Sequence, residues 1–214
     1  EDRLRSATGM GLRLLSGEEE ARYIALGAGC DPLLRGFAGY RLVDLGGGSL
    51  EVIRVAGETV QAANSYRLGA VRLTEQFVAF PENPVPANIL QAVDRHVRET
   101  LQSGGHDLRN PFLPFVGAGG AFNVARAIWE NSPDSHRRDP RLLPVRWLRQ
   151  WRSHLAAMTL AERMDIPGVP PQRADIMPVA VQTMVSAADC AGCDAYHHTA
   201  YNLRYGLARE WLGV

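Results

Sequence analysis

The stretch Leu42-Val43-Asp44-Leu45-Gly46-Gly47-Gly48-Ser49-Leu50-Glu51-Val52-Ile53 constrains the fold more than any other part of the chain. An apolar run meets a carboxylate, three glycines follow, and an alternating run of Leu50, Val52 and Val55 leaves. The pattern predicts a strand ending near Asp44, a reversal through glycine, and a second strand. Glycine tolerates φ > 0 and lets backbone N–H groups come close to a ligand. Successive N–H groups in such a turn form an anion-binding concavity. A carboxylate entering the turn repels a phosphate, but it suits a divalent cation that bridges to one, or the orienting of a water. The bland alternative is a Gly-rich hairpin with an Asp at its shoulder. Asp44, the three glycines, Ser49 and Glu51 together favour a phosphate and metal site over that alternative.

A second unit has related parts. Pro111 to Val116 reads as a short apolar strand that runs into Gly117-Ala118-Gly119-Gly120, with a helix from Ala121 to Glu130. Strand, glycine turn and helix N-terminus supply backbone N–H groups and the positive end of a helix dipole. Alone this is a weak signal. Paired with the Asp44 loop it predicts two glycine turns gripping one polyphosphate from opposite sides.

The other elements follow from periodicity and end signals. Leu12 to Leu15 reads as a short strand, and Ser16 with Glu19 reads as a capping box opening a helix from Glu18 to Ala28. Glu18, Glu19 and Glu20 fall in the first turn, where the helix dipole favours negative charge. One of them could reach a site as general base, and periodicity does not choose which. Tyr40–Leu45, Leu50–Val55 and Thr59–Leu68 form a three-strand meander. Helical patterns cover Gly69–Ala79, Asn88–Leu101, Leu148–Ala157, a short turn capped by Thr159, and a long apolar run to Ala188. Ala195–Tyr201 reads as a strand, and Leu203–Leu212 as a closing helix with Leu203, Leu207 and Trp211 on one face. Arg204 and Gly206 fit either a place over the site or the roles of a solvated Arg and a packing glycine. This order is α/β with a mixed sheet flanked by helices. A meander followed by crossover helices is the layout of one ribonuclease-H-like lobe.

Composition narrows the function classes. At 214 residues the chain suffices for one substantial domain. The 23 basic and 23 acidic residues balance, so nothing favours nucleic acid or an anionic membrane through bulk charge. The basic residues are arginines, which suit bidentate phosphate contacts. There is no run of 18 apolar residues and no secretory pattern at the start, so a cytoplasmic protein is expected. Cys190 and Cys193 form a C-x-x-C that follows an Ala-rich helical stretch. With Cys30 unmatched, the three read as reduced structural thiols.

Six ordered motifs then carry a family resemblance. Ser16-Gly17-Glu18-Glu19-Glu20-Ala21-Arg22, Val43 to Glu51, Arg67-Leu68-Gly69-Ala70-Val71-Arg72-Leu73, Gly117 to Gly120, Ile166 to Ile176, and Leu203-Arg204-Tyr205-Gly206-Leu207 resemble the exopolyphosphatase/guanosine pentaphosphate phosphatase (Ppx/GppA) family. The resemblance implies the actin-like ATPase fold, two ribonuclease-H-like lobes around a cleft. It also implies Mg²⁺-assisted hydrolysis of terminal phosphoanhydride bonds in polyphosphate or guanosine pentaphosphate. Position by position, Glu20 looks like the catalytic base, with Asp44 and Glu51 as the acidic pair around the metal and the attacking water. Gly46, Gly47, Gly48 and Ser49 look like one phosphate loop, and Gly117, Ala118, Gly119 and Gly120 like the other. Residues 1–39 would then be the end of a first lobe and 40–214 the second lobe. Two departures follow. Family members carry a further N-terminal segment with another phosphate loop, so this chain alone is expected to hydrolyse poorly and to self-associate, with a homodimer one outcome. Ala118 and Ala121 also stand where hydroxyl residues are usual, which leaves a non-catalytic module binding polyphosphate or guanosine penta- or tetraphosphate as the alternative.

Overall fold

The computed structural model describes residues 2–104, 108, 113–132, 139 and 141–213. Strand β1 (Gly39–Leu45) is buried along its whole length, because helices cover both faces of the sheet in which it is central. Side chains alternate across a strand. Tyr40 and Leu42 therefore enter one core, while Val43 and Leu45 enter the other. Strands β2 (Leu50–Ala56) and β3 (Thr59–Tyr66) continue from β1 as an antiparallel meander. On the other side of β1 lies β4 (Phe115–Ala118), parallel to it. Strands β5 (Leu142–Pro144) and β6 (Ala195–His198) complete the order β3-β2-β1-β4-β6-β5, with β6 parallel to β4 and β5 antiparallel at the edge. This mixed sheet flanked by helices is a ribonuclease-H-like fold.

One face carries the larger core. Helices α3 (Ala70–Phe77), α4 (Ala87–Ser103), α5 (Gly120–Glu130), α6 (Val145–Ala157) and α8 (Met177–Ala191) close it. Helix α8 is buried nearly throughout because α3, α4, α5 and α6 all pack on it, which accounts for its mostly apolar sequence. Short helix α7 (Leu160–Met164) starts with a capping box from Thr159 and Glu162. The smaller core lies under α2 (Gly17–Ala28) and α9 (Leu203–Leu212). Helix α1 (Asp2–Thr8) precedes them. The Ser16–Glu19 capping box forms: Glu19 N donates to Ser16 Oγ at 3.2 Å, and Ser16 N donates to Glu19 Oε2 at 2.8 Å.

Three expectations differ from what is observed, and one strand carries no sequence signal. Leu12–Leu15 is not a strand, and Leu12 and Leu14 are exposed. A strand is held by a neighbouring backbone, and the six-stranded sheet offers none to this segment. On α9, Leu207 and Trp211 face solvent, and the buried residue is Gly206. A Cβ on Gly206 would overlap the Tyr23 carbonyl, and one on Gly27 would overlap the Asn202 carbonyl. The helices meet backbone to backbone, and that close approach outweighs the burial of Leu207 and Trp211. Strand β5 escapes the sequence pattern because alternation is not legible over three residues. Finally, the expected strand from Pro111 is seen only from Phe115, and its first two residues lie outside the described residues.

The α2–α9 crossing yields a stability prediction. Gly206→Ala pushes the helices apart and is expected to cost about 1–3 kcal/mol, read as a lower urea midpoint. Substitution of the exposed Ala208 on the same helix is expected to leave the midpoint within about 0.5 kcal/mol of the parent.

Candidate active site

Strand alternation decides where the acidic residues point. Asp44 shares a face with Tyr40 and Leu42, the face covered by α2. Glu51 sits opposite Asp44 in the β1–β2 ladder, and Ser65 of β3 sits opposite Glu51. Both carboxylates are buried, at 8% and 2% exposure. Ser65 Oγ donates to Glu51 Oε1 at 2.7 Å. Burial raises the Asp44 pKa to about 7, helped by the charges of Glu51 and then Glu20. Burial also raises Glu51, with hydroxyls of Ser49 and Ser65 pulling the other way and Glu20 adding to the rise. Two like charges on adjacent strands out of water are unfavourable together. A cation between them would remove that conflict.

The structure separates the three glutamates of α2. Glu18 is exposed. Glu19 is committed to the capping box and to an ion pair with Arg13. Glu20 is half-buried and lines a cleft together with Asp44 and Glu51.

That cleft has a volume of about 290 Å³ and is also walled by Gly46, Gly47, Gly48, Ser49, Gly119 and Gly120. The first glycine loop works differently from the expectation. None of its three glycines has a positive φ. Instead, its carbonyls are taken up by the start of α3: Ala70 N donates to Gly46 O at 2.9 Å, Val71 N to Gly47 O at 3.0 Å, and Arg72 Nε to Gly48 O at 2.9 Å. Among the described residues the N–H groups of Gly47, Gly48 and Ser49 are left without an intramolecular acceptor. Gly69 permits this docking, since a Cβ there would overlap Gly47 and Gly48. The left-handed glycine is Gly119, at φ +95° and ψ 170°, a region closed to other residues. A Cβ on Gly119 would also run into the Asp44 carboxylate and the Leu45 backbone.

The second loop is shorter than the sequence reading made it. Gly117 and Ala118 lie buried inside β4 and do not line the cleft. A Cβ on Gly117 would collide with the Phe122 ring, so this glycine serves core packing. The part facing the cleft is Gly119 and Gly120, where α5 begins. Ala118 and Ala121 are both buried in the cores, so hydroxyls at those positions would not face the cleft.

Two cations complete the surroundings. Arg204 lines the cleft beside Asn202, whose side chain caps α9 by accepting from Arg204 N at 3.1 Å. Arg173, part of the Ile166–Ile176 motif but given no role by the sequence, lies against Gly120: a Cβ there would strike its guanidinium. A cation is unfavourable at a helix N-terminus, and an anion shared by the two would reverse that. The available signal was the short Pro-Pro-Gln-Arg turn before Ala174, which carries no charge logic until the fold brings it to α5.

No group of three or more His, Cys, Asp or Glu positioned to hold a metal occurs among the described residues. Two carboxylates with free cleft space nonetheless suit Mg²⁺, which keeps several waters and takes substrate phosphates as further ligands. No helix among the described residues is long and apolar enough to cross a membrane. Cys30, Cys190 and Cys193 are in no disulfide among the described residues, and burial raises the Cys193 pKa to about 12.

Comparison with known proteins fits this architecture. Residues 2–213 match the model of the Ppx/GppA phosphatase family, and the chain belongs to that family. An uncharacterized protein of Streptomyces coelicolor is 31% identical over 183 residues, covering 80% of this chain and 51% of that protein. Exopolyphosphatase 1 of Mycobacterium tuberculosis is 28% identical over 216 residues, covering 96% of this chain and 60% of that protein. The crystal structure of an exopolyphosphatase from Cytophaga hutchinsonii superposes with a TM-score of 0.82 at 23% identity, covering 100% of this chain and 69% of that one. The chain thus spans 51% to 60% of the length of these curated relatives.

The Asp44 shift has a consequence for stability. Its pKa is higher folded than unfolded, so the folded state holds an extra proton between about pH 4 and pH 7. Its contribution to stability therefore falls as pH rises through that window, and Glu51 shifts in the same direction. Asp44→Asn is expected to raise Tm by roughly 2–6 °C at pH 8 and by much less at pH 4, measured by thermal melts in metal-free buffer.

Proposed function

We propose that this chain provides the base and phosphate-holding surface of a phosphoanhydride hydrolase that releases terminal phosphate from polyphosphate or guanosine pentaphosphate. One observation carries the reading: Glu20, Asp44, Glu51 and both glycine turns line the same cleft, although the sequence spreads them over a hundred positions. Membership in the Ppx/GppA phosphatase family supports it.

The chemistry assigns each group a task. Hydrolysis needs a water in line with the scissile P–O bond, a carboxylate to take its proton, and donors to spread charge on the transferring phosphoryl. Glu20 takes the proton, being the α2 glutamate that faces the cleft without a capping duty. The N–H groups of Gly47, Gly48 and Ser49 hold phosphoryl oxygens on one side, and the start of α5 at Gly119–Gly120 does so on the other. Asp44 and Glu51 would hold Mg²⁺, which when bound neutralises phosphate charge. Arg204 and Arg173 take the next phosphates along the chain. The leaving group departs as a shortened polyphosphate or as the guanosine tetraphosphate, and no protein nucleophile is involved. A cytoplasmic setting fits cysteines that form no disulfide among the described residues, and fits this substrate class.

The binding-only alternative rests on the alanines at 118 and 121 and on the further segment that family members carry, and only the first ground is addressed by the cleft's geometry. Both side chains are buried away from the cleft, at 0% and 3% exposure, so they do not weaken its donor set. Exposed Leu14, Trp211 and Leu212, at 77%, 92% and 70%, support self-association, which sedimentation at tens of micromolar (roughly the range where such patches associate) would read as a dimer.

Phosphate release from polyphosphate and from guanosine pentaphosphate tests the proposal, on this chain and on a form extended to the full length of the relatives. Glu20→Gln is expected to lower the rate about 100-fold or more while calorimetry shows polyphosphate binding with Mg²⁺ retained. An unchanged rate would remove Glu20 from the role of base. Binding without turnover in the extended parent would convert the assignment to a sensor. Arg204→Ala is expected to weaken polyphosphate binding about tenfold, the loss of one charge-assisted contact.

A further inference from the structure

A second cavity shares no residue with the cleft. It is a groove of about 510 Å³ between α4, α6 and α8, within the size range of small-molecule sites. Its apolar wall is a small separate cluster of Val85, Leu90 and Ala156, with Val185 beside it. Its rim is held rigidly. Val85 N donates to Ala156 O at 2.7 Å, and the fully buried Arg163 donates to the carbonyls of Pro81 at 3.2 Å and Asn83 at 2.7 Å. A wall fixed before any ligand arrives costs little ordering on binding.

The polar wall is unbalanced by one charge. Asp94 Oδ2 pairs with Arg98 Nε at 2.8 Å, and its Oδ1 accepts from Ser186 Oγ at 2.6 Å and Gln182 Nε2 at 3.3 Å. Asp189 is shared between Arg98 and Arg149. Both carboxylates are therefore engaged, and both partner arginines are neutralised. Arg152 is the exception. Its Nη1 reaches only Gln182 Oε1, at 3.3 Å, and its Nε is buried with no partner. It forms no ion pair among the described residues. The sealed Nε is out of a ligand's reach, but Nη2 has no partner among the described residues and is not sealed from solvent, so the half-buried guanidinium offers it to an acceptor in the groove.

We propose that this groove binds a small monocarboxylate with an apolar body, its carboxylate on Arg152 and its hydrocarbon against Val85, Leu90, Ala156 and Val185. A carboxylate matches the guanidinium fork. A phosphate dianion is disfavoured, since one spare positive charge beside Asp94 and Asp189 does not balance it. The inference is independent of the hydrolase reading, and its test reads binding alone.

Octanoate is the probe, titrated into the 214-residue chain by calorimetry and by chemical-shift mapping. The expected result is saturable binding at one site per chain, with shifts on α4, α6 and α8. Octanamide, which keeps the hydrocarbon and drops the charge, is expected to bind at least about tenfold more weakly, and inorganic phosphate to leave these shifts unmoved. Arg152→Gln is expected to weaken octanoate about tenfold or more. Leu90→Trp fills the groove while keeping the arginine, and is expected to abolish binding with the fold intact by circular dichroism. Octanamide equal to octanoate, phosphate moving the same shifts, unchanged affinity in Arg152→Gln, or binding that survives Leu90→Trp would each overturn the proposal.

Discussion

The burial of Asp44 opposite Glu51 is the constraint on which the rest of the cleft depends. Two carboxylates on neighbouring strands, both nearly out of water, raise each other's cost of ionisation. Such an arrangement persists only when the surrounding structure over-determines it. Here the over-determination comes from β1, whose alternation is fixed by apolar partners on both faces. A one-residue slip would put Asp44 into the larger core and Leu45 into the cleft, so the register is strongly specified.

Each neighbouring element then does a local job that keeps the cleft open. Helix α3 takes the carbonyls of the first glycine loop, which leaves its N–H groups for a ligand. The capping box of α2 occupies Glu19, so Glu20 is the glutamate left facing Asp44. The backbone contact between α2 and α9 brings the start of α9, with Asn202 and Arg204, to the same opening. These are short-range devices of hydrogen bonding and close packing. Their joint effect is a concave surface lined by amides and carboxylates.

The groove between α4, α6 and α8 follows a different principle. There the ionic groups are mostly paired among themselves, and the one left over stands beside an apolar wall. The two cavities thus have opposite character. The cleft carries an excess of buried acid that a cation relieves, and the groove carries a spare half-buried cation that an anion relieves.

Much of this was legible in the sequence. The alternation of Leu42 to Val55, the capping signals at Ser16 and Thr159, and the apolar run of α8 are local patterns, and local patterns report strands and helices directly. The order of elements also carried the ribonuclease-H-like layout, and the ordered motifs carried the family. What the sequence could not decide were matters of approach. Periodicity alone did not say which of Glu18, Glu19 and Glu20 faces the cleft, although the family motif pointed to Glu20; it depends on the partner each finds. Whether Gly117 serves a ligand or a Phe122 ring, and whether Gly206 or Leu207 is the buried side of α9, depends on how near another backbone comes. Arg173 and Arg152 acquire meaning only from neighbours far away in the chain. Periodicity is written in adjacent residues, but charge balance and close contact are properties of residues that only folding brings together.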